Sequence, residues 1–266
     1  MYWEVKKMIK VVVGGATGRL GSMVCELVRQ QEDMQLVGAI VSDAGGHVGR
    51  EIAPGIATQG AEHLERVVEK ADIYVDMTTP SAAAGNLLRV PRLGVNCVVG
   101  TTGLSDDMLE RFEAEVLENN VSAVVSPNFS VGVNVFWKMC GILAAVLEDY
   151  DIEIMETHHD KKKDAPSGTA MKAAQIVSEV TGIDNFVYGR QGLVGARGRE
   201  IGIHAIRAGD VVGEHTIMFA GNKERIELTH RAHSRETFAE GCLTAVRWVS
   251  ARRDGKVHTM AEVLGL

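Results

Sequence analysis

The chain has 266 residues, 45% apolar and 24% charged, the balance of a globular protein with room for one large or two smaller cores. A formal net charge of −7 argues against nucleic acid as the main partner, because phosphate binding needs a broad positive surface. No apolar run reaches the roughly 18 residues of a membrane span, and the opening MYWEVKKMIK lacks secretory-signal features, so a cytoplasmic protein with no membrane partner is expected.

The first element follows at once. Ile9–Val13 reads as a buried strand, Gly15, Gly18 and Gly21 as a turn, and Leu20, Val24, Leu27 and Val28 as one face of the next helix. Glycines in this context permit a tight turn, close approach to a pyrophosphate and close helix–strand packing. The helix N-terminus adds free N–H groups and a positive dipole end. Met8 directly precedes this strand, so MYWEVKK reads as an extension or a start placed too early.

Alternation continues with a strand over MQLVGAIVS, helix 62–70, strand 73–76, helix 81–89, strand 95–99, helix 105–118 and strand 121–126. Strands alternating with helices predict a parallel sheet covered on both faces, with ligands at the carboxyl ends of the strands. The tails after three strands, Met77–Pro80, Gly100–Gly103 and Ser126–Phe129, are expected to ring a nicotinamide cofactor. At the end of the second strand stands Ser42, where NAD-type sites usually carry an acid. Ser42 tolerates a 2′-phosphate and Arg50 can pair with it, whereas Asp43 resists it; the residues lean toward NADPH or dual use with NADH.

After Ser126 the pattern changes. A long apolar helix over 131–147 leads to the strand DIEIMETHH, then a helix over 167–181, then a segment from Gly202 to Ala232 that reads as an antiparallel meander. A helix over 236–247 and a short tail are expected to return to the first domain. The fold expected is therefore α/β: a Rossmann-type parallel-sheet dinucleotide-binding domain over 1–127, completed by 237–266, plus an α+β domain over 128–236 with a mixed or antiparallel open sheet. The four cysteines (Cys25, Cys97, Cys140, Cys242) form no CxxC pair and are expected to be buried free thiols.

The stretch ETHHDKKKDAPSGTAM, Glu156 to Met171, concentrates titratable chemistry at a strand end before a helix. Metal binding is not expected, because adjacent histidines rarely share an ion and His204, His215, His230 and His233 sit on other elements. A solvated basic loop accounts for Lys161 and Lys163 but not for His158 and His159 beside the helix start. Catalysis on an anionic substrate accounts for more. Gly168 and Thr169 N–H groups can hold a carboxylate, Lys162 adds a point charge, and imidazole can deliver a proton near neutral pH. Asp164 is expected to cap the helix, with orientation of Lys162 as its alternative.

These residues, with VVVGGATGRLG, VGTTG, SPNFSVGVNVF and IRAGDVVGEHTIMFAG, carry a resemblance to the 4-hydroxy-tetrahydrodipicolinate (dihydrodipicolinate) reductase family of lysine biosynthesis by the diaminopimelate route. The resemblance runs from Lys10 to the chain end, and the His-His-x-x-Lys-x-Asp-x-Pro-Ser-Gly-Thr motif is its most specific part. It implies that His158 is the proton donor and Lys162 its catalytic partner, while His159, Gly168 and Thr169 bind the carboxylates of a small dicarboxylate substrate. Gly15, Ala16, Thr17, Gly18, Arg19 and Leu20, the Gly100, Thr101 and Thr102 tail, and Ser126, Pro127, Asn128 and Phe129 would line the cofactor with Ser42. It also implies a homotetramer built through the second domain's sheet. Many members have an acid where Ser42 stands, so use of both cofactors does not carry over unmodified. Two rival classes are another two-domain dehydrogenase of aspartate-derived metabolites and a non-catalytic nucleotide sensor. Neither has a reason to keep His158 and Lys162 beside Pro-Ser-Gly-Thr.

Overall fold

The computed structural model describes residues 8–266, so the reading of MYWEVKK as an extension lies outside the described residues. The described residues divide into two compact units, one of residues 8–130 and 236–266, the other of residues 131–235.

In the first unit, β1 (Ile9–Gly14), α1 (Arg19–Arg29) and β2 (Met34–Val41) are followed by three short strands, β3 (Glu51–Ala53), β4 (Ile56–Ala57) and β5 (Gln59–Gly60). Then come α2 (Leu64–Val68), β6 (Ile73–Asp76), α3 (Pro80–Leu87), β7 (Asn96–Val99), α4 (Asp106–Glu118) and β8 (Ala123–Val125). The C-terminal part adds α7 (Glu236–Ser250), β14 (Val257–His258) and α8 (Met260–Leu264). Seven strands pair in the order β14-β8-β7-β6-β1-β2-β5, all parallel.

Successive residues of a strand face opposite sides, so a sheet buried on both faces needs continuous apolar runs. Val11 and Val13 pack with Val24 and Val28 of α1 and with Cys242, Val246 and Val249 of α7. Val12 faces the other way, into a second core with Leu64, Leu87, Phe112 and Val116 from α2, α3 and α4. Chain order reverses beside β1, between β2 on one side and β6 on the other, and this is where doubly wound sheets bind ligands. The small β3–β4 hairpin carries no alternation in its sequence and was not foreseen. All four cysteines are buried and unpaired.

The second unit holds α5 (Val131–Val146), β9 (Asp151–His158), α6 (Gly168–Thr181), β10 (Phe186–Tyr188), β11 (Ile201–Arg207), β12 (Gly213–Ala220) and β13 (Arg225–Ala232). Its sheet order is β10-β11-β9-β12-β13. The expected meander is corrected here. β11 runs parallel to β9, and β9 lies between β11 and β12, so only β12 and β13 form a hairpin. The sheet is mixed. Ile152, Ile154, Ile201, Ile203, Ile217 and Phe219 point to one face and pack with the helices α5 and α6. Across the strands, Glu153 joins Arg190 at 2.9 Å, Arg197 at 3.2 Å and His204 at 2.6 Å. Among the described residues no helix is long and apolar enough to cross a membrane.

Candidate active site

In the first unit the chain leaves β1 through a turn closed by the Gly18 N–H, which donates to the Gly15 carbonyl at 2.8 Å. Gly18 then precedes α1 as its N-cap. Gly15 has φ of +75°, and a Cβ there would strike the Met77 carbonyl. A Cβ on Gly21 would strike the Gly15 carbonyl. The turn is therefore bare backbone at the strand end beside the reversal of strand order, with a helix N-terminus behind it. These residues fit the pyrophosphate of a dinucleotide.

Of the other residues expected around a cofactor, Thr17 is half-buried, Arg19 and Thr102 are exposed, and Leu20 packs against the core. Ala16 and Phe129 are core side chains; the Ala16 N–H donates to the Ile40 carbonyl at 3.3 Å, and the Phe129 carbonyl packs against Gly241. The hydroxyl of Thr101 donates to Asp76 at 2.5 Å, and that of Ser126 donates to the Asn128 carbonyl at 2.7 Å. Both hydroxyls are engaged within the tails. Asp76 is the residue sequence reasoning missed: fully buried, it also accepts from the Tyr74 hydroxyl at 2.9 Å and the Thr78 hydroxyl at 2.7 Å. It ties two of the three tails together. Ser42 is exposed and precedes a 3-10 turn at Asp43–Gly45. The Asp43 carboxylate lies against Gly60, where a Cβ would strike it.

In the second unit β9 alternates Ile152, Ile154, Glu156, His158 on its inward face. Glu156 is 1% exposed. Its carboxylate accepts from both terminal nitrogens of Arg207, at 2.9 and 2.8 Å, and from the Ser167 N–H at 3.0 Å. Its Oε2 lies 2.6 Å from His158 Nδ1. Burial pushes this carboxyl up, but the hydrogen bonds from His158, Arg207 and Ser167 outweigh it and bring it down to about 2. Arg207 also donates to the Asp164 carbonyl at 2.7 Å, fixing the loop before α6.

Ser167 is the N-cap of α6, accepting from the Ala170 N–H at 3.2 Å. The expected cap, Asp164, instead accepts from Lys162 at 2.8 and 2.9 Å, and the ion pair holds its carboxyl below the usual range. A serine hydroxyl directly before the first helical residue reaches the third N–H of the turn; Asp164, three residues earlier, is outside it. Gly168 opens α6 exposed, with nothing near the position of an added Cβ, and Thr169 is half-buried beside it. His159 begins the loop, where its carbonyl accepts from the Lys162 N–H at 3.2 Å. The structure thus joins His158 to the helix start through one carboxylate, and places Lys162 and its partner on the loop between them.

His215 of β12 is a second buried imidazole. Its Nε2 lies 3.0 Å from the Ser167 hydroxyl, and its ring meets that of His158 edge-on at 5.1 Å. Burial first, and then the nearby His158, push it down to about 3. The consequence for stability has one sign. His215 folded binds its proton only below about 3, against 6.5 in the free state, and Glu156 only below about 2, against 4.5. Between these values the unfolded chain takes up more protons, so stability is full above about pH 6.5 and falls as pH drops. Urea midpoints measured from about pH 8 to about pH 5 are expected to decrease, and His215→Gln to flatten the upper part of that fall. A midpoint independent of pH would mean that His215 is not held neutral by burial. Among the described residues no three His, Cys, Asp or Glu side chains group as metal ligands.

Residues 9–129 match the model of dihydrodipicolinate reductase, N-terminus, and residues 132–264 that of its C-terminus. The chain belongs to the dihydrodipicolinate reductase family. It is 48% identical over 265 residues to the 4-hydroxy-tetrahydrodipicolinate reductase of Methanosarcina barkeri, covering 97% of this chain and 100% of that one. The corresponding reductase of Methanocaldococcus jannaschii is 46% identical over 270 residues, covering 97% and 98%. Among solved structures, the dipicolinate-bound dihydrodipicolinate reductase of Paenisporosarcina sp. TG-14 is similar with a TM-score of 0.79 at 27% identity, over 96% of this chain and 98% of that one. The N-terminal match lies wholly in the first, nicotinamide-binding unit, whereas that unit's returning segment from Glu236 falls within the C-terminal match.

Proposed function

We propose that this protein reduces 4-hydroxy-tetrahydrodipicolinate to tetrahydrodipicolinate, with loss of water, in lysine biosynthesis through diaminopimelate. It is an NAD(P)H-dependent oxidoreductase. The observation that carries the reading is the joining of His158, through Glu156, to the N-terminus of α6, with Lys162 on the loop between them. The relatives are named as reductases of this compound, and the Paenisporosarcina enzyme was captured with dipicolinate, an aromatic dicarboxylate of the same shape class.

The glycine turn Gly15–Gly18 and the first residues of α1 hold the dinucleotide pyrophosphate, and the backbone of the Gly100–Thr102 and Ser126–Phe129 tails lines the nicotinamide. When bound, the reduced nicotinamide supplies the hydride. His158 delivers the proton that balances it. Lys162 and His159 face the substrate carboxylates together with the Gly168 and Thr169 N–H groups, where the helix dipole favours an anion. Water leaves from the substrate's hydroxyl carbon, so one hydride and one proton enter as one water departs. The second unit's sheet, with its helices on one face, supports a homotetramer assembled through the other face. The protein acts in the cytoplasm.

A coupled assay tests the activity. Pyruvate and aspartate semialdehyde with the preceding synthase generate the substrate in place, and nicotinamide absorbance is followed with NADH and NADPH in parallel. Synthase-dependent oxidation is expected with both, NADPH at least as fast as NADH because Ser42 presents no carboxylate to a 2′-phosphate. No oxidation by folded protein that binds either cofactor would overturn the reading. In the same assay Lys162→Ala is expected to raise the substrate KM by roughly 10- to 100-fold, the loss of one charge-assisted contact. A change confined to cofactor affinity would place Lys162 in the wrong site.

A further inference from the structure

We propose that Glu156 is the positioning residue for His158, selecting the ring nitrogen that delivers the proton, and that Arg207 holds Glu156 in that role. The inference rests on the reading of His158 as the proton donor.

The argument begins with donors and acceptors. An ionised carboxylate can only accept hydrogen bonds. Glu156 faces four donor positions on its two oxygens: two from Arg207, one from the Ser167 N–H, and the short contact to His158 Nδ1. Nδ1 must therefore carry its hydrogen in both protonation states of the ring. Nε2 is then the only nitrogen that gains and loses a proton, and so the only one that can pass it to substrate. The Nε2 edge lies over the bare Cα of Gly213, where an added Cβ would stand 3.0 Å from Nε2. No side chain on that residue competes for the edge.

The surroundings keep Glu156 from changing partners. It is buried, and the guanidinium that holds it from β11 is itself fixed to the Asp164 carbonyl. His215 on β12 meets the ring edge-on, with His230 opposite it on β13; His159 follows His158 in the chain, and the loop after it carries the Lys162–Asp164 pair. His215 turns its Nε2 to the Ser167 hydroxyl, not to the His158 ring. Because Ser167 caps α6 and donates to the same carboxylate, one side chain sets both the imidazole tautomer and the seat of the helix that faces the substrate.

Glu156→Gln replaces one accepting oxygen by a donating NH2. The amide oxygen in the Oε1 position keeps the Ser167 N–H and one Arg207 nitrogen, and the NH2 in the Oε2 position then faces the other Arg207 nitrogen and Nδ1, of which only Nδ1 can become an acceptor. Nδ1 must then accept, and the neutral ring carries its hydrogen on Nε2, where it is far too weak an acid. The test uses the full chain with ring 15N–1H correlation spectra, the His158 signals being assigned by their absence in His158→Gln. Wild-type His158 is expected as the Nδ1–H tautomer when neutral, and Glu156→Gln is expected to abolish that tautomer. The same variant should lower kcat by about 10²- to 10⁴-fold with substrate KM changed far less, and Glu156→Asp should recover part of the loss. An Nε2–H tautomer in the wild type overturns the proposal even if Glu156→Gln does not fold. An unchanged tautomer or kcat in folded Glu156→Gln overturns it as well. Failure of the donor reading looks different: His158→Gln would itself retain kcat, whatever the ring spectra report.

Discussion

Replacing His158 by Gln is expected to lower kcat by about 10²- to 10⁴-fold, the usual contribution of a positioned general acid. Glutamine matches the imidazole in reach but holds no proton that it can release at neutral pH. The loss should fall on kcat and not on cofactor binding, because His158 lies at the end of β9 in the second unit, whereas the glycine turn belongs to the first. The coupled assay reads kcat, and tryptophan quenching by NADPH reads binding. An unchanged kcat would remove His158 from proton delivery, and equal losses in both readouts would point to a folding defect.

Gly15→Val is expected to have the converse signature. A β-branched residue at φ of +75° bears strain of about 1–3 kcal/mol, and its Cβ would also drive into the Met77 carbonyl. The turn must open, which displaces the first N–H groups of α1, the ones proposed to hold the pyrophosphate. A strain of that size, if relieved by distortion of the binding turn, raises the dissociation constant for NADPH by roughly 10- to 100-fold. The variant should keep the ring spectrum of His158 unchanged. Full NADPH affinity in folded Gly15→Val would show that the turn does not hold the cofactor.

Much of this was legible in the chain because its signals are local. The run Ile9–Val13 followed by three spaced glycines specifies a strand, a turn and a helix within about 20 residues, and the helix start at Ser167–Gly168 follows from Pro-Ser-Gly-Thr alone. What escaped depends on distant partners. Glu156 stands two residues before His158, so a period of two already places both on one strand face; Arg207, which makes that face tolerable for a buried carboxylate, comes from β11 and carries no local mark. Asp76 likewise looks like the end of an apolar run until Thr78 and Thr101 are seen to converge on it. The position of β9 between β11 and β12 was missed for the same reason. Hairpin chemistry identifies β12 with β13, but nothing near β11 announces a parallel neighbour some 50 residues back.

The C-terminal return has a consequence for the order in which the molecule can be made. Residues 131–235 form a unit whose strands and helices are all present once Arg235 has been synthesised. The first unit, begun earlier, is then still short of α7, whose Cys242, Leu243, Val246 and Val249 complete the core against β1 and α1. During synthesis, the inserted unit has all its parts first, and the nucleotide-binding unit closes only when the last helices leave the ribosome. A fragment ending at Ser130 would keep α1 on that face of its sheet but leave the part that α7 covers open to water, whereas a fragment covering 131–235 lacks none of its own core.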